Sequence, residues 1–394
     1  MTKIDLSSIQ DALESISPYV HRTPLIYSNS FSKMFDAEVY IKAENLQKTG
    51  SFKVRGAFNK LRKWREGKVI AASMGNHAQG VAFAAMSLGM EASIVMPSTA
   101  SIVKQEATKG YGAEVILYGE SFSDALNYAV SQKGYEFIHA FDDEDIIAGQ
   151  GTIGLEIAED TKDADVVIVP VGGGGLISGI SIAVKSLSPK VEIIGVQTVS
   201  ATSAYDSFHS KKPVERIPQP TLADGIAVGK VGGKTIEIIN KHVDDIIKVS
   251  EESIAMSVLL FLERKKLVVE GAGAVPLAAL IEQRERFRGK KIVLVVSGGN
   301  IDFTLIDRII HKGLVSSGRI GVFKVIVDDV PGGLNKITGI IAAQRGNVLT
   351  VVHDRLAGDV PVGKTLVTFT VETKGRGHFE EIISAIKDWG FSIQ

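Results

Sequence analysis

The sequence of 394 residues contains no cysteine, which excludes disulfides, thiolate metal ligands and a cysteine nucleophile. Neither sign of charge is in excess. Lys and Arg number 44 against 45 Asp and Glu, a net charge of -1, so there is no electrostatic footprint for nucleic acid or an anionic membrane surface. No apolar run approaches the length of a membrane span. Residues 1–6 carry no basic-then-apolar signal region, and the cytoplasm is the expected compartment. Neither a Gly-x-Ser-x-Gly elbow nor a His-Glu-x-x-His pair occurs, which removes the usual nucleophile and metal of hydrolases. What is there, 45% apolar and 23% charged residues, describes an ordinary globular chain long enough for more than one domain.

Four segments carry chemistry. Lys53 stands just past a Gly-Ser turn, between the strand-like run 39–43 and a helical stretch. A lysine near the positive end of a helix dipole is less basic than usual, and a neutral amine can form a Schiff base with an aldehyde cofactor; a solvated lysine on a first helical turn is the other reading. Ser73-Met74-Gly75-Asn76-His77 follows the apolar run 69–72 and precedes a small-residue helix, the order that makes an anion site from free N–H groups. Here Asn76 also suits a helix N-cap, and His77 a partly exposed imidazole. Gly172, Gly173, Gly174 and Gly175, with Leu176 next, join a buried strand (165–171) to a helix (177–187). Four glycines cost more chain entropy than a turn needs, so either a phosphate approaches their N–H groups or the turn is unusually tight. The spacing is not Gly-x-Gly-x-x-Gly, and strand 191–197 ends without a ribose-binding carboxylate, which argues against a dinucleotide. Ser297 ends the run 292–296 before Gly298, Gly299 and a helix over 301–311. It is placed either in the crevice at the strand ends or as an N-cap.

Strands and amphipathic helices alternate from about 38 to 311, which predicts an α/β protein with an open, mostly parallel sheet in two lobes and helices on both faces. After a small-residue linker at 316–321 the pattern becomes strand (322–330), helix (334–344), strand (348–354), strand (365–372), helix (379–389) and a brief strand (391–393), the ferredoxin-like βαββαβ order. Gly358-Asp359-Val360-Pro361-Val362-Gly363-Lys364-Thr365 fits a phosphate-loop pattern, but a true one opens a helix, and the alternation at 366–371 predicts a strand.

Lys42-Ala43-Glu44-Asn45-Leu46-Gln47-Lys48-Thr49-Gly50-Ser51-Phe52-Lys53, Gly75-Asn76-His77-Ala78-Gln79-Gly80, residues 149–156, 170–175, 222–225, Glu270-Gly271-Ala272-Gly273-Ala274 and 297–302 together resemble the threonine ammonia-lyases (threonine dehydratases), pyridoxal 5′-phosphate enzymes of the tryptophan-synthase-β-like group. Lys53-Val54-Arg55 is similar to the dehydratases, whereas sulfhydrylase and threonine-synthase relatives carry Lys-Asp-Arg there. The resemblance implies a fold-type-II catalytic domain (1–315) with the cofactor between its lobes. It implies that Lys53 holds the cofactor, that Gly172, Gly173, Gly174, Gly175 and the N–H of Leu176 bind its phosphate, and that Asn76 meets the ring hydroxyl. Phe52 would lie beside the ring and Ser297 face its nitrogen, a neutral partner that suits elimination over transamination. Ser73, Gly75, Asn76 and His77 would bind the substrate carboxylate. The implied reaction is β-elimination from L-threonine to 2-oxobutanoate and ammonia, the first step of isoleucine biosynthesis. The rivals are a serine dehydratase or serine racemase, a catabolic threonine dehydratase, and an inactive amino-acid sensor. Serine racemase has a proton-carrying residue where this chain has Met74, and carboxylates around a divalent cation where it has Gln197 and Ser203. No required divalent metal is expected, and a monovalent ion is left open.

Residues 328–334 resemble the first loop of ACT domains. Segment 322–394 is therefore expected to be an amino-acid-binding regulatory domain, with isoleucine as effector in a pocket of Asp329, Gly332, Gly333 and Leu334; a plain ferredoxin-like oligomerisation module is the alternative. A homodimer or homotetramer is expected.

Overall fold

The computed structural model describes residues 3–64, 67–355 and 360–393, in two compact units, Met1–Ile301 and Asp302–Gln394. In the first unit the strands are β1 (Leu25–Tyr27), β2 (Glu38–Ala43), β3 (Lys68–Ala72), β4 (Glu91–Met96), β5 (Glu114–Leu117), β6 (Tyr135–Phe137), β7 (Val166–Pro170), β8 (Glu192–Thr198), β9 (Asp245–Val249) and β10 (Lys291–Val296). They form two sheets, one ordered β1-β2-β10-β7-β8-β9 and one β5-β4-β3-β6. Every pairing is parallel except β1 with β2. The two-lobed, mostly parallel arrangement is thus present. β7 is buried at every position, the mark of a parallel strand covered on both faces.

Each sheet has its own core. Val167, Val169, Ile177, Ile193 and Val293 pack around the larger one, and Val54, Phe58, Val69, Val81 and Ile94 around the smaller. Helix Lys53–Leu61 belongs to the second core and is crossed closely by helix Glu144–Asp160. At the crossing a Cβ on Gly149 would lie 2.6 Å from the Cα of Gly56, so a side chain there would push the two helices apart.

The second unit starts with helix Phe303–Ser316, ahead of the small-residue linker. Strands β11 (Ile320–Asp328), β12 (Asn347–Asp354) and β13 (Lys364–Glu372) form an antiparallel sheet ordered β11-β13-β12. Helices Gly333–Ala343 and Arg376–Asp388 supply Ile337, Ile341, Ile382 and Ile386 to its core. Burial alternates strictly along β13, the period-2 pattern that identified it. The expected last strand is reduced to one bridge between Val325 and Ile393. Lys364 and Thr365 open β13 rather than a helix, against a phosphate loop; Gly358 and Asp359 lie outside the described residues. Among the described residues no helix is long and apolar enough to cross a membrane.

Candidate active site

Lys53 is the first residue of its helix, with Phe52 at the cap position. It is half-buried, and its Nζ donates to the carbonyl of Ala140 at 3.0 Å. Burial lowers its pKa to about 8, against the opposing pull of the Glu270 carboxylate. The solvated-lysine reading is overturned, and burial rather than the helix dipole is the main cause of the weakened basicity.

The segment after β3 differs from expectation in two respects. Gly75, not Asn76, is the N-cap of helix Asn76–Ser87, and it caps with no side chain. Its N–H donates to Ser73 Oγ at 3.2 Å, while the next N–H groups of the first turn have no helical acceptor. His77 is buried rather than exposed, its Nε2–H donating to the carbonyl of Ile138 at 2.9 Å. Burial, then the Lys53 charge, lowers its pKa to about 3. It can meet an anion only through its main-chain N–H.

Gly174 is the N-cap of helix Gly175–Leu187 at φ +96°, a conformation reserved for glycine. Among the described residues the N–H groups of Gly173, Gly174, Gly175 and Leu176 find no acceptor. Orphaned, largely buried donors at a helix start fit a bound phosphate. Ser297 is 3% exposed, and its hydroxyl has no partner among the described residues. It is not an N-cap, because no helix begins between it and Asp302, whose carboxylate caps helix Phe303–Ser316. The Ser297 carbonyl accepts from Phe52 N–H at 3.0 Å, which ties β10 to the lysine turn.

Two parts of the site went unassigned in the sequence. Glu270, the N-cap of helix Gly271–Glu282, accepts from Asn76 Nδ2 with both oxygens, at 2.8 and 3.0 Å. Asn300 Nδ2 donates to Asn76 Oδ1 at 2.7 Å, so the orientation of the Asn76 amide is fixed by two neighbours. Burial raises the Glu270 pKa to about 7, against the Asn76 hydrogen bond. The other part is the stretch His139-Ala140-Phe141-Asp142 after β6, which bears on both Lys53 and the glycine loop.

Of the two uncharged residues that stand where serine racemase carries carboxylates, Gln197 accepts from Tyr205 N–H through Oε1 at 2.8 Å, and Ser203 Oγ donates to the Val228 carbonyl at 2.6 Å. In the second unit Gly332 caps helix Gly333–Ala343 at φ +87°, and Asp329 pairs with Arg355 at 2.8 Å.

Glu270 gives the apoenzyme a pH signature. Its folded pKa lies above its unfolded value of about 4.5, so the stabilisation it contributes is complete below pH 4.5 and lost as pH rises through 7. Glu270→Gln, neutral at every pH, is expected to gain stability relative to wild type between pH 5 and pH 8, by on the order of 3 kcal/mol at most. Urea unfolding of both apoproteins at the two pH values measures this, and a constant difference would exclude a buried titrating carboxyl.

The sequence pattern of the pyridoxal-phosphate dependent enzymes matches residues 16–298. The chain is 48% identical to L-threonine ammonia-lyase of Thermotoga maritima over 99% of each. Among solved structures, a threonine deaminase from T.th. is similar at 40% identity and a TM-score of 0.73, covering 76% of this chain and 99% of its own. Maize serine racemase is similar at 34% identity and a TM-score of 0.74, covering 79% and 98%. The match to Thermotoga therefore takes in the second unit, while the two structural matches leave about that much of the chain outside. With the orphaned N–H cradle and the weakly basic lysine in place, the chain belongs to the pyridoxal-phosphate dependent enzyme family.

Proposed function

We propose that this protein is a pyridoxal 5′-phosphate-dependent L-threonine ammonia-lyase, a carbon–oxygen lyase that forms 2-oxobutanoate and ammonia. The observation that carries the reading is the Lys53 amine, with a pKa of about 8, linked through Ala140 and Phe141 to a loop of unpaired N–H groups; the near full-length identity to L-threonine ammonia-lyase supports it. Lys53 holds the cofactor, the N–H groups of Gly172, Gly173, Gly174, Gly175 and Leu176 take its phosphate, Asn76 meets its hydroxyl, Phe52 flanks its ring and Ser297 faces its nitrogen. Bound there, the cofactor supplies an electron sink for the bond broken at Cα. The N–H groups at the start of helix Asn76–Ser87, with Ser73, hold the substrate carboxylate. At neutral pH a fraction of Lys53 is the free amine, able to take the Cα proton as the β-hydroxyl departs. Ala140 keeps that amine oriented.

Segment 322–394 is the ACT-like regulatory domain. Isoleucine binds near Asp329, Gly332, Gly333 and Leu334 and acts through a homodimer or homotetramer, which places the enzyme at the start of isoleucine synthesis. The test is the release of 2-oxo acid from L-threonine and L-serine, with and without isoleucine. Threonine is expected to be the faster substrate, and isoleucine to shift its saturation curve by about 5- to 150-fold in affinity. An unshifted curve, together with no isoleucine heat in calorimetry, would remove the regulatory role alone.

Racemisation is expected to be negligible, because Met74 has no exchangeable proton to deliver to the far face of Cα. D-serine formed from L-serine as fast as pyruvate would favour the racemase reading instead.

A further inference from the structure

The stretch from His139 to Asp142 touches both ends of the proposed cofactor site. Ala140 accepts from Lys53 Nζ at 3.0 Å. The next residue lies against the glycine loop: a Cβ placed on Gly173 would fall 2.3 Å from Cδ1 and Cγ of the Phe141 ring and 2.4 Å from its Cε1. A Cβ on Gly175 would meet the main chain of the same residue, at 2.9 Å from its carbonyl oxygen and 3.0 Å from its Cα. Asp142 then secures the loop from the other side. Its carboxylate accepts from the N–H groups of Gly233, Lys234 and Thr235 at 3.0, 2.9 and 3.2 Å, and the Thr235 hydroxyl donates to the Gly173 carbonyl at 2.7 Å. His139 sets the shape of the stretch, its Nδ1 accepting from the N–H groups of Phe141 and Asp142 at 3.2 and 2.8 Å.

Gly173 is thus clamped between an aromatic ring and a hydroxyl, both of them protein groups. The entropy cost of a glycine run implies that something approaches its backbone, and at Gly173 the Phe141 ring is already there. We infer that Phe141 is a positioning residue for the phosphate end of the cofactor. Its ring is what requires glycine at 173, and the pair holds the loop with its N–H groups turned outward. The inference rests on the assignment of this loop to the phosphate.

A double-mutant cycle tests it, using apoenzyme titrated with pyridoxal 5′-phosphate and with pyridoxal, followed by near-visible absorption. Gly173→Ala is expected to weaken pyridoxal 5′-phosphate binding by about tenfold or more, equivalent to about 1.4 kcal/mol, while pyridoxal binding changes little. In the Phe141→Ala background the added Cβ has space, so the same substitution should cost less than about threefold, an antagonism of the kind contacting residues show. Gly175→Ala is the control. It meets the main chain of residue 141, so Phe141→Ala should not rescue it.

Losses that multiply in the double variant, or an unaffected Gly173→Ala, would overturn the inference. Gly173→Ala that folds only in the Phe141→Ala background is itself the rescue; failure to fold in both counts against it. Wild type binding pyridoxal and pyridoxal 5′-phosphate equally would sink the phosphate assignment and this inference together, whereas a clear preference with multiplying losses sinks this inference alone.

Discussion

Lys53→Ala is expected to abolish the near-visible absorption of the purified enzyme and to lower threonine turnover by about 10³-fold or more, within the range that a positioned proton-transfer group contributes. The loss of covalent cofactor attachment adds to that effect. The fold should survive, because the side chain makes one hydrogen bond, to Ala140, and truncation leaves a main-chain carbonyl that the opened site exposes to water. Borohydride reduction followed by peptide mapping gives the decisive reading. A pyridoxyl group on a lysine other than Lys53 in wild type, or a variant that keeps its colour and rate, would displace Lys53 from the mechanism.

A second large effect is expected two residues along the same helix. The side chains of Lys42, Glu44, Arg55 and Glu156 are all essentially inaccessible, and two cations meet two carboxylates there. Arg55 donates to Glu44 at 2.8 Å through both Nε and Nη2, and to Glu156 at 2.7 and 3.0 Å. Lys42 lies 2.5 Å from Glu156 and donates to the Thr23 carbonyl at 2.7 Å. Burial alone would lower the Arg55 pKa, but the two carboxylates more than offset it and hold the pKa well above its ordinary value. Arg55→Met leaves two carboxylates in a dry interior facing one lysine, and should cost about 3–5 kcal/mol. Replacing all four residues by apolar side chains of similar volume should recover most of that loss, since a buried ion cluster as a whole is worth little over hydrophobic packing. Urea midpoints of the apoproteins measure both. An Arg55→Met variant within about 1 kcal/mol of wild type would mean that water reaches the cluster.

The glycine run and Ser297 are legible in the sequence because each directly follows an apolar run whose end must turn, and Lys53 because a Gly-Ser turn sets it at a helix start, so local chemistry indicates what each turn can hold. The helix after Ser297 is misplaced for a related reason. Ser297 and Asp302 both satisfy the cap pattern, and only the folded chain shows Asp302 accepting from Thr304 N–H at 2.8 Å. Glu270 stands within a motif that is easily recognised, yet its partner Asn76 is 194 positions away, and no local periodicity reports such a pairing. Phe141 leaves no trace in the pattern for the same reason, since its meaning lies in a clash that glycine avoids elsewhere in the chain. The charges of Lys42 and Arg55 read naturally as solvated, as most lysines and arginines are; their burial follows from two glutamates on other segments.

The place of β10 in the larger sheet has a consequence for biosynthesis. β10 pairs with β2 on one side and β7 on the other, yet it is the last strand of the first unit to leave the ribosome. Until it arrives, β2 and β7 each present an open edge, and the β1-β2 and β7-β8-β9 portions remain unconnected. Translation at about 5–20 residues per second leaves these edges bare for many seconds after β2 is made, an interval in which exposed strand edges invite pairing with other chains. Long-range parallel closure of this kind is slow. Nascent chains stalled before Lys291 should therefore depend on chaperones and aggregate without them, whereas chains long enough for β10 to have cleared the ribosomal exit tunnel should be able to complete the sheet.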